Sequence, residues 1–291
     1  MNFLSVFGRI TFIMFHSPLL SFPLVNPTTA SNFYLALRLL PKEKRQAMFT
    51  FYNFCRAVDD AVDLAKSNGD ARSELAQWKR KVVLCYEEEA TDPMIDPLKN
   101  LVQKYQIPRE DLEELVAGVE MDLAPRRYES FNQLEQYCYR VASVVGLVSI
   151  RVFGCHDPES RQYAIYLGKA LQLTNILRDL KQDADQGRIY LPQNELRRFG
   201  YSEEDLKRNV YNDAFVQLMQ FQCQRARAFF EQAEVRMPEE ERKNLAPARI
   251  MGGIYQRILD RIEQRQYDIF SERIAVPMHE KTLITINISL Q

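Results

Sequence analysis

Apolar residues recur every three or four positions along most of the chain after Thr28, and most prolines fall between the segments that show this spacing. Such spacing puts apolar side chains on one face of an α-helix. No window before the tail alternates in the way that half-buried strands do. We therefore expect an all-α, single-domain bundle in which facing helices build a central cavity. The predicted long helices cover residues 43–66, 72–90, 109–122, 131–153, 159–184, 212–236 and 248–272.

The N-terminal end departs from this pattern. Residues 10–25 are apolar, but His16, Pro18 and Pro23 interrupt them. The run is also shorter than the roughly 18 apolar residues expected of a membrane-spanning helix. We interpret residues 1–27 as an N-terminal extension that is either disordered or translated from a start codon upstream of the true one.

The C-terminal end departs in another way. Residues 282–290 are rich in β-branched residues and look like a strand, but a single strand has nothing to pair with. We assign residues 276–291 to a C-terminal tail and residues 28–275 to the helical domain.

One predicted helix carries a polar stripe inside an otherwise apolar segment. Gln172, Asn175, Asp179 and Asp183 are spaced by 3, 4 and 4 residues, which puts all four on one face. Two carboxylates one turn apart repel each other, and if they are buried they need a proton or a cation. A solvated surface face explains this stripe equally well when it is considered alone.

A second polar stripe favours a metal site over a solvated surface face. Tyr52, Arg56, Asp59 and Asp63 are spaced by 4, 3 and 4 residues, beside an aromatic run that indicates a packed helix. Carboxylates as the main ligands favour a hard cation, and Mg²⁺ commonly shares phosphate oxygens with them. We predict two or three Mg²⁺ ions carried by a diphosphate, with arginines beside each stripe that bind its oxygens.

Mg²⁺ ions bound between carboxylates and a diphosphate, with arginines beside them, suit the ionisation of an allylic diphosphate. Metal ions stabilise a departing diphosphate, and an apolar cavity with aromatic walls protects a carbocation from water. The chain has 17 Phe and 14 Tyr. Aromatic residues at helical spacing belong more often to the core, so none of them is assigned an individual role on this ground.

Composition argues against several other classes. A net charge of −1 and the absence of a basic, aromatic-rich window argue against a nucleic-acid partner. The three histidines lie far apart, which disfavours a zinc or di-iron site. The five cysteines are scattered without a CxxC pair, as in a reduced cytosolic protein. We expect a cytoplasmic monomer or weak homodimer and leave peripheral membrane association open.

Three motifs in this order resemble those of the squalene/phytoene synthase family: Phe54–Asp63, Tyr137–Gly146 and Leu171–Asp179, the last followed by Gly187–Pro192. The resemblance covers about residues 30 to 273. It implies the isoprenoid-synthase helical fold and the head-to-head (1′-1) condensation of two prenyl diphosphates. It also implies a Mg²⁺ requirement and a cyclopropylcarbinyl diphosphate intermediate.

The resemblance also implies roles for individual residues. The implied metal ligands are Asp59, Asp63, Asp179 and Asp183. The implied catalytic residues are these four aspartates and Tyr139. The implied substrate-binding residues are Arg56, Arg178, Tyr52, Gln172, Asn175, Phe33, Ser31 and Tyr255. Asn32 departs from the usual Ser-Phe or Ser-Ser-Phe opening, which leaves that polar contact undecided. The base is not identified, since released diphosphate and a tyrosine are both candidates.

Small residues in the second motif permit two interpretations. Ser143 and Gly146 lie in a Val-Ala-x-x-Val-Gly segment of a predicted helix. Either substrate or a neighbouring helix could approach closely at these positions, and the sequence does not choose between them.

Within the family, residues 139–154 and 167–175 are most similar to the bacterial subgroup that makes presqualene diphosphate from two farnesyl diphosphates for hopanoid synthesis. Phytoene synthase, which joins two geranylgeranyl diphosphates in the carotenoid pathway, shares nearly every motif and is the main alternative. A full squalene or dehydrosqualene synthase is another, and NADPH is expected only for squalene synthase. A catalytically inactive assembly factor of the same fold is the non-enzyme alternative, which the retained aspartates disfavour.

Overall fold

The protein is described from a computed structural model that covers residues 32–65, 67–89, 92–123 and 127–291. The predicted extension and Ser31 lie outside these residues, and so does the side chain of Phe33. The described residues form thirteen α-helices: α1 (Asn32–Leu37), α2 (Lys42–Asp63), α3 (Asn68–Leu84), α4 (Asp96–Lys104), α5 (Arg109–Glu120), α6 (Phe131–Cys138), α7 (Val144–Phe153), α8 (Pro158–Asp185), α9 (Gln193–Arg198), α10 (Glu203–Lys207), α11 (Asp213–Val235), α12 (Ala246–Gln264) and α13 (Met278–Ser289).

The prediction of an all-α bundle is confirmed, and each of the seven predicted long helices is present. Helices α6 and α7 form one continuous segment because a π-helical turn, Tyr139–Ser143, joins them. Within the described ranges, β pairing is limited to one isolated parallel bridge between Arg127 and Ile189. The short helices α1, α4, α9 and α10 were not predicted, since segments of five to nine residues carry too little periodicity.

The strand-like interpretation of the tail is wrong, because residues 278–289 form helix α13. Glu280 in its first turn accepts hydrogen bonds from Arg257 and Arg261 of α12. Ile284 and Ile288 pack against α12 at Gly253. Tertiary contacts of this kind override the preference of β-branched residues for strands.

The last predicted helix is also shorter than expected. Helix α12 ends at Gln264, whereas the sequence pattern predicted a helix to residue 272. Gln266 and Tyr267 have positive φ angles of 52° and 68°, so the backbone there is left-handed and leaves the helix. Neither residue is a glycine or proline, and so the sequence carries no sign of this break.

Helix α8 runs through the centre of the bundle. It packs against α7, α11, α12 and the π-helical turn, and its side chains are buried on nearly every side. From Ala170 to Leu180 the helix has no solvated face, so its polar residues there are buried together with its apolar ones. This position decides between the two interpretations of the α8 stripe, because the stripe is not on the protein surface.

The small residues of the second motif serve close helix packing. A Cβ atom at Gly168 of α8 would lie 2.5 Å from Ser143 Cα in the π-helical turn, and one at Gly146 would lie 3.0 Å from the carbonyl oxygen of Ala164. The Ser143 hydroxyl donates a hydrogen bond to the carbonyl oxygen of Ile165 at 2.7 Å. Helix packing therefore accounts for Ser143, whereas Gly146 both approaches α8 closely and lines an apolar cavity between α1, α7, α8 and α12.

Two further expectations from the sequence concern the cysteines and membrane-spanning segments. All five cysteines are buried free thiols. Within the described ranges, every helix is too short or too polar to span a lipid bilayer.

We expect Gly168→Ala to lower the free energy of unfolding by about 1–3 kcal/mol, because the new methyl group meets backbone atoms that have no room to move. Urea unfolding monitored by circular dichroism measures this change. Gly69→Ala is the matched control: Gly69 is exposed in α3, its Cβ would meet nothing closer than 3.6 Å, and alanine favours the helix. Equal stability of the two variants would contradict the packing role of Gly168.

Candidate active site

Helix α2 presents the first acidic face. Asp59 is buried at 3% exposure, and no described residue forms a hydrogen bond with its Oδ2 atom. Asp63, one turn further on, likewise has an Oδ2 atom with no partner among the described residues. Burial raises the pKa of Asp59 well above its usual value, and the charges of Asp63 and Asp122 raise it further. The first face therefore concentrates carboxylates in a buried site.

Two further residues of the predicted stripe lie beside these aspartates. Tyr52 is buried, and burial raises the pKa of its hydroxyl. Arg56 forms a two-point ion pair with Asp60, with Nε–Oδ2 and Nη2–Oδ1 distances of 2.9 and 2.6 Å. Its guanidinium therefore lies at the edge of the acidic face rather than between Asp59 and Asp63.

Helix α8 presents the second acidic face. Gln172, Asn175, Asp179 and Asp183 are all buried, with exposures of 0% to 5%. Burial, together with the charge of Asp179, raises the pKa of Asp183 to about 7 even though Arg188 opposes the shift. Both polar atoms of the Gln172 amide lack a hydrogen-bond partner in the described part of the chain. A buried amide without partners is costly and is expected where a ligand supplies them.

Helix α12 adds a tyrosine to the second face. Arg178 Nε donates to Asp179 Oδ1 at 2.9 Å, so the two side chains form a buried ion pair. The hydroxyl of Tyr255 interacts with Arg178 and Asn175: burial raises the pKa of this phenol, and these two neighbours partly oppose the rise. Arg273 extends the positive charge towards solvent, with its Nε atom 3.8 Å from Asp179 Oδ1.

The end of α8 brings the two faces together. Gly187 has a φ angle of +75°, and the amides of Gly187 and Arg188 donate to the carbonyl oxygens of Ala184 and Asp183. This is the Schellman arrangement, which needs a residue without Cβ at the left-handed position. It turns the chain back so that Arg188 Nη2 lies 3.2 Å from Asp63 Oδ1 of α2. Arg188 therefore lies between the acidic faces.

A third carboxylate lies beside the α2 face and was not predicted. The hydroxyls of Tyr137 and Tyr190 donate to the two oxygens of Asp122 at 3.0 and 3.1 Å, and the two rings stack at 5.2 Å. Burial raises the pKa of Asp122 to about 6, against the opposing effect of Arg188 and both hydroxyls. Both tyrosines lie within the motifs of the sequence analysis, whereas Asp122 lies in a short 3₁₀ turn that has no pattern to mark it.

The structure does not bring Tyr139 to this site. Its electrostatic neighbours are Arg161, Asp111 and Glu114, none of which belongs to either acidic face. Tyr137, one half-turn earlier, points instead to Asp122. The resemblance implied Tyr139, and the sequence cannot show that the segment from α6 to α7 turns this face of the helix away from the acidic residues.

The residues present fit a metal ion only if a ligand supplies additional oxygens. In the described ranges, no three carboxylate, histidine or cysteine side chains are close enough to hold an ion by themselves. The unpartnered oxygens of Asp59 and Asp63 are nevertheless the hard donors that Mg²⁺ prefers, and Mg²⁺ usually completes its coordination with water and phosphate oxygens. This donor set suits Mg²⁺ that arrives with a diphosphate.

The fold and the site together define an all-helical protein with two buried acidic helix faces and several arginines between and beside them. The sequence profile of the squalene/phytoene synthase family matches residues 27–280. The chain belongs to this family, as its motifs indicated. Members of the family are prenyltransferases, which supports an enzyme of this kind.

Individual relatives cover nearly the whole chain. The 15-cis-phytoene synthase of Synechococcus elongatus is 40% identical over 266 residues, which are 87% of this chain and 86% of the relative. The phytoene synthase of Arthrospira platensis is 35% identical over 267 residues, with the same coverage.

Two solved structures have the same fold. The structure of a dehydrosqualene synthase in complex with a ligand has a TM-score of 0.77 and 28% identity, and the match covers 89% of this chain and 90% of that one. The structure of squalene synthase HpnC from Alicyclobacillus acidocaldarius has a TM-score of 0.74 and 25% identity, and the match covers 81% of this chain and 89% of that one.

We expect Asp59→Asn to raise the free energy of unfolding of the metal-free protein by about 1–3 kcal/mol at pH 8. The folded pKa of Asp59 is raised, whereas the unfolded chain titrates near pH 4, so wild-type stability falls as pH rises from about 4 towards the folded pKa. Asparagine does not ionise, so the variant does not lose stability in this way as the pH rises. Urea unfolding in EDTA at several pH values measures the difference, and Asp185→Asn, at an exposed position of α8, is the control. A variant no more stable than wild type at pH 8 would contradict the conclusion that burial raises the pKa of Asp59.

We expect Tyr137→Phe to lower kcat for a prenyl diphosphate about tenfold or more, the effect of losing a hydrogen bond to a charged group. Tyr139→Phe should stay within about twofold of wild type, because its hydroxyl lies away from both acidic faces. Steady-state kinetics of both variants makes the comparison, and circular dichroism checks the fold. A larger loss for Tyr139→Phe would reverse the assignment.

Proposed function

We propose that this chain is a Mg²⁺-dependent prenyltransferase that joins two geranylgeranyl diphosphates head to head and forms phytoene. The observation that carries this proposal is the 40% identity to a 15-cis-phytoene synthase over 87% of the chain, supported by a second phytoene synthase at 35%. The oxygens of Asp59 and Asp63 that have no hydrogen-bond partner among the described residues, together with the buried Asp179 and Asp183, fit a substrate that carries diphosphate and metal ions together.

The formation of presqualene diphosphate from two farnesyl diphosphates is the second candidate. The presqualene subgroup was the first choice of the sequence analysis, and the likeness to a dehydrosqualene synthase and to squalene synthase HpnC supports it. These structures are 28% and 25% identical to the chain, so the likeness to the phytoene synthases is greater. We therefore place phytoene first.

The proposed metal ligands are Asp59 and Asp63 on α2 and Asp179 and Asp183 on α8. Mg²⁺ bound there would neutralise the diphosphate and make it a better leaving group. Arg188 lies between the two faces and is placed to donate hydrogen bonds to phosphate oxygens.

Other residues of α8 would orient and shield the substrate. Gln172 presents buried amide atoms that a bound substrate would satisfy. An apolar cavity lies between α1, α7, α8 and α12, and its α8 wall extends from Leu171 back to Ala164. The rise of α8 from Ala164 to Asp179 is about 22 Å. The cavity measures about 60 Å³, so a prenyl chain would enter it by displacing lining side chains, while its diphosphate and the carbon at which the carbocation forms stay at the acidic faces.

The proton lost in the reaction requires an acceptor. The sequence left released diphosphate and a tyrosine as candidates. Tyr137 is the tyrosine that we favour, because its hydroxyl oxygen could accept the proton while its own hydrogen passes to Asp122, to which it donates a hydrogen bond beside the α2 face. Released diphosphate stays a candidate for the same step, since the reaction itself produces it.

We expect the purified full chain with Mg²⁺ to convert geranylgeranyl diphosphate to phytoene with a kcat/KM at least tenfold above that for farnesyl diphosphate. Product mass by liquid chromatography and mass spectrometry identifies each product, and EDTA should stop both reactions. Asp179→Asn should nearly abolish turnover while Asp185→Asn retains it. Presqualene diphosphate from farnesyl diphosphate as the main product would favour the second candidate. Unreacted substrate in both reactions would contradict the enzyme proposal.

A further inference from the structure

The segment that follows α8 carries two residues of the candidate site. Arg188 Nη2 lies 3.2 Å from Asp63 Oδ1, and the Tyr190 hydroxyl donates to Asp122 at 3.1 Å. Neither Arg188 nor Tyr190 belongs to a helix, so the regular hydrogen bonds of a helix do not set their positions. The contacts that hold residues 187–190 in place therefore come from other parts of the chain.

A short stretch before α6 runs alongside this segment. Arg127 forms a parallel bridge with Ile189, and the amide of Gln193 donates to the Tyr128 carbonyl oxygen at 2.8 Å. The ring of Tyr128 also stacks on that of Tyr190, with the two centroids 6.1 Å apart. Backbone pairing and ring stacking together fix the register between the two stretches.

The side chain of Arg127 makes a more specific contact. Its Nη1 atom donates to the carbonyl oxygen of Gly187 at 3.2 Å. The N–H of the same peptide unit, which belongs to Arg188, donates to the carbonyl oxygen of Asp183 at 2.8 Å. A peptide unit is planar, so hydrogen bonds at both its oxygen and its N–H fix the orientation of the whole plane. This plane directly precedes the Cα atom of Arg188 and so limits where that side chain can point.

Glu203 holds the guanidinium group of Arg127 in place. Arg127 Nε lies 2.6 Å from Glu203 Oε1, and both side chains are partly buried. Glu203 lies in the first turn of α10, which a capping box of Ser202 and Asp205 begins. A guanidinium group presents several N–H donors in one rigid plane, so it bonds the carboxylate and the Gly187 carbonyl oxygen at the same time. Arg127 therefore connects α10 to the end of α8.

We propose that Arg127 is a positioning residue of the candidate active site. It holds the Gly187 carbonyl oxygen so that Arg188 meets a diphosphate oxygen between the acidic faces, and it acts through Arg188 rather than on the substrate. The proposal rests on the proposed function in one respect, the binding of diphosphate at those faces. Residues that orient the groups of such a site change its affinity by about tenfold or more when they are removed.

Binding of inorganic diphosphate with Mg²⁺ to the full chain tests this role by isothermal titration calorimetry. We expect Arg127→Met, which keeps much of the side-chain length and removes its donors, to weaken binding about tenfold. Arg127→Lys keeps the charge but loses the fork of donors, so it should weaken binding only about two- to threefold. Circular dichroism checks the fold, and Arg127→Lys carries the test if Arg127→Met does not fold.

A double variant shows whether Arg127 acts through Arg188. Arg188→Met removes the group that Arg127 positions, so adding Arg127→Met to it should cause at most about a twofold further loss of affinity. A purely structural role of Arg127 predicts the same loss in both backgrounds, since the effects of independent substitutions add.

Arg197→Met is the matched control. Arg197 of α9 forms an exposed ion pair with Glu129, so it also connects the two stretches, but through a carboxylate rather than through the Gly187 carbonyl oxygen. Exposed ion pairs contribute little, and we expect this variant to bind diphosphate within about twofold of wild type.

Three results would overturn the proposal. The first is binding of diphosphate by Arg127→Met and Arg127→Lys that equals the binding by wild type, which would leave the proposed function intact. The second is an equal loss for Arg127→Met in the presence and absence of Arg188, which would assign Arg127 to general stability. The third is absence of diphosphate binding in wild type, which would overturn the proposed function as well.

Discussion

The rest of the structure depends on one constraint: carboxylates on two helices, α2 and α8, are buried close to one another. Asp59, Asp179 and Asp183 are almost fully enclosed, and the pKa values of Asp59 and Asp183 are raised. Such a site is costly in the absence of ligand, because an ionised carboxylate loses its water when it is buried. The surrounding bundle must supply the stability that offsets this cost. Its packing is accordingly tight where it supports α8, as the contact between Gly168 and the π-helical turn illustrates.

The ends of the elements decide how the charges are arranged. The Schellman turn at Gly187 returns Arg188 to the acidic faces, and the loop that follows is fixed where Arg127 pairs with Ile189 and donates to the Gly187 carbonyl oxygen at 3.2 Å. The same loop carries Tyr190 to Asp122. One turn motif therefore positions a cation and a tyrosine together, which explains how a short loop can belong to a candidate site otherwise built from helices.

The architecture and the acidic faces could be predicted from the sequence because both follow from helical spacing. Residues four apart on a helix share a face wherever the helix packs, so Asp59 with Asp63 and Asp179 with Asp183 were predictable. Asp122 was not, since its place depends on a tertiary contact with two tyrosines from distant segments. The role of Tyr137 was not predictable for the same reason, because one half-turn decides whether its hydroxyl or that of Tyr139 meets Asp122. Helix α13 was missed because packing on α12 outweighs its strand-like composition.

The central claim is that the two faces form a metal site only together with a diphosphate. Titration of Mn²⁺, a paramagnetic substitute for Mg²⁺, followed by electron paramagnetic resonance tests it most directly. The account predicts weak Mn²⁺ binding to the protein alone, tighter binding by tenfold or more when inorganic diphosphate is present, and loss of that enhancement in both Asp59→Asn and Asp179→Asn. Tight Mn²⁺ binding without diphosphate, or an enhancement that survives in either variant, would contradict it.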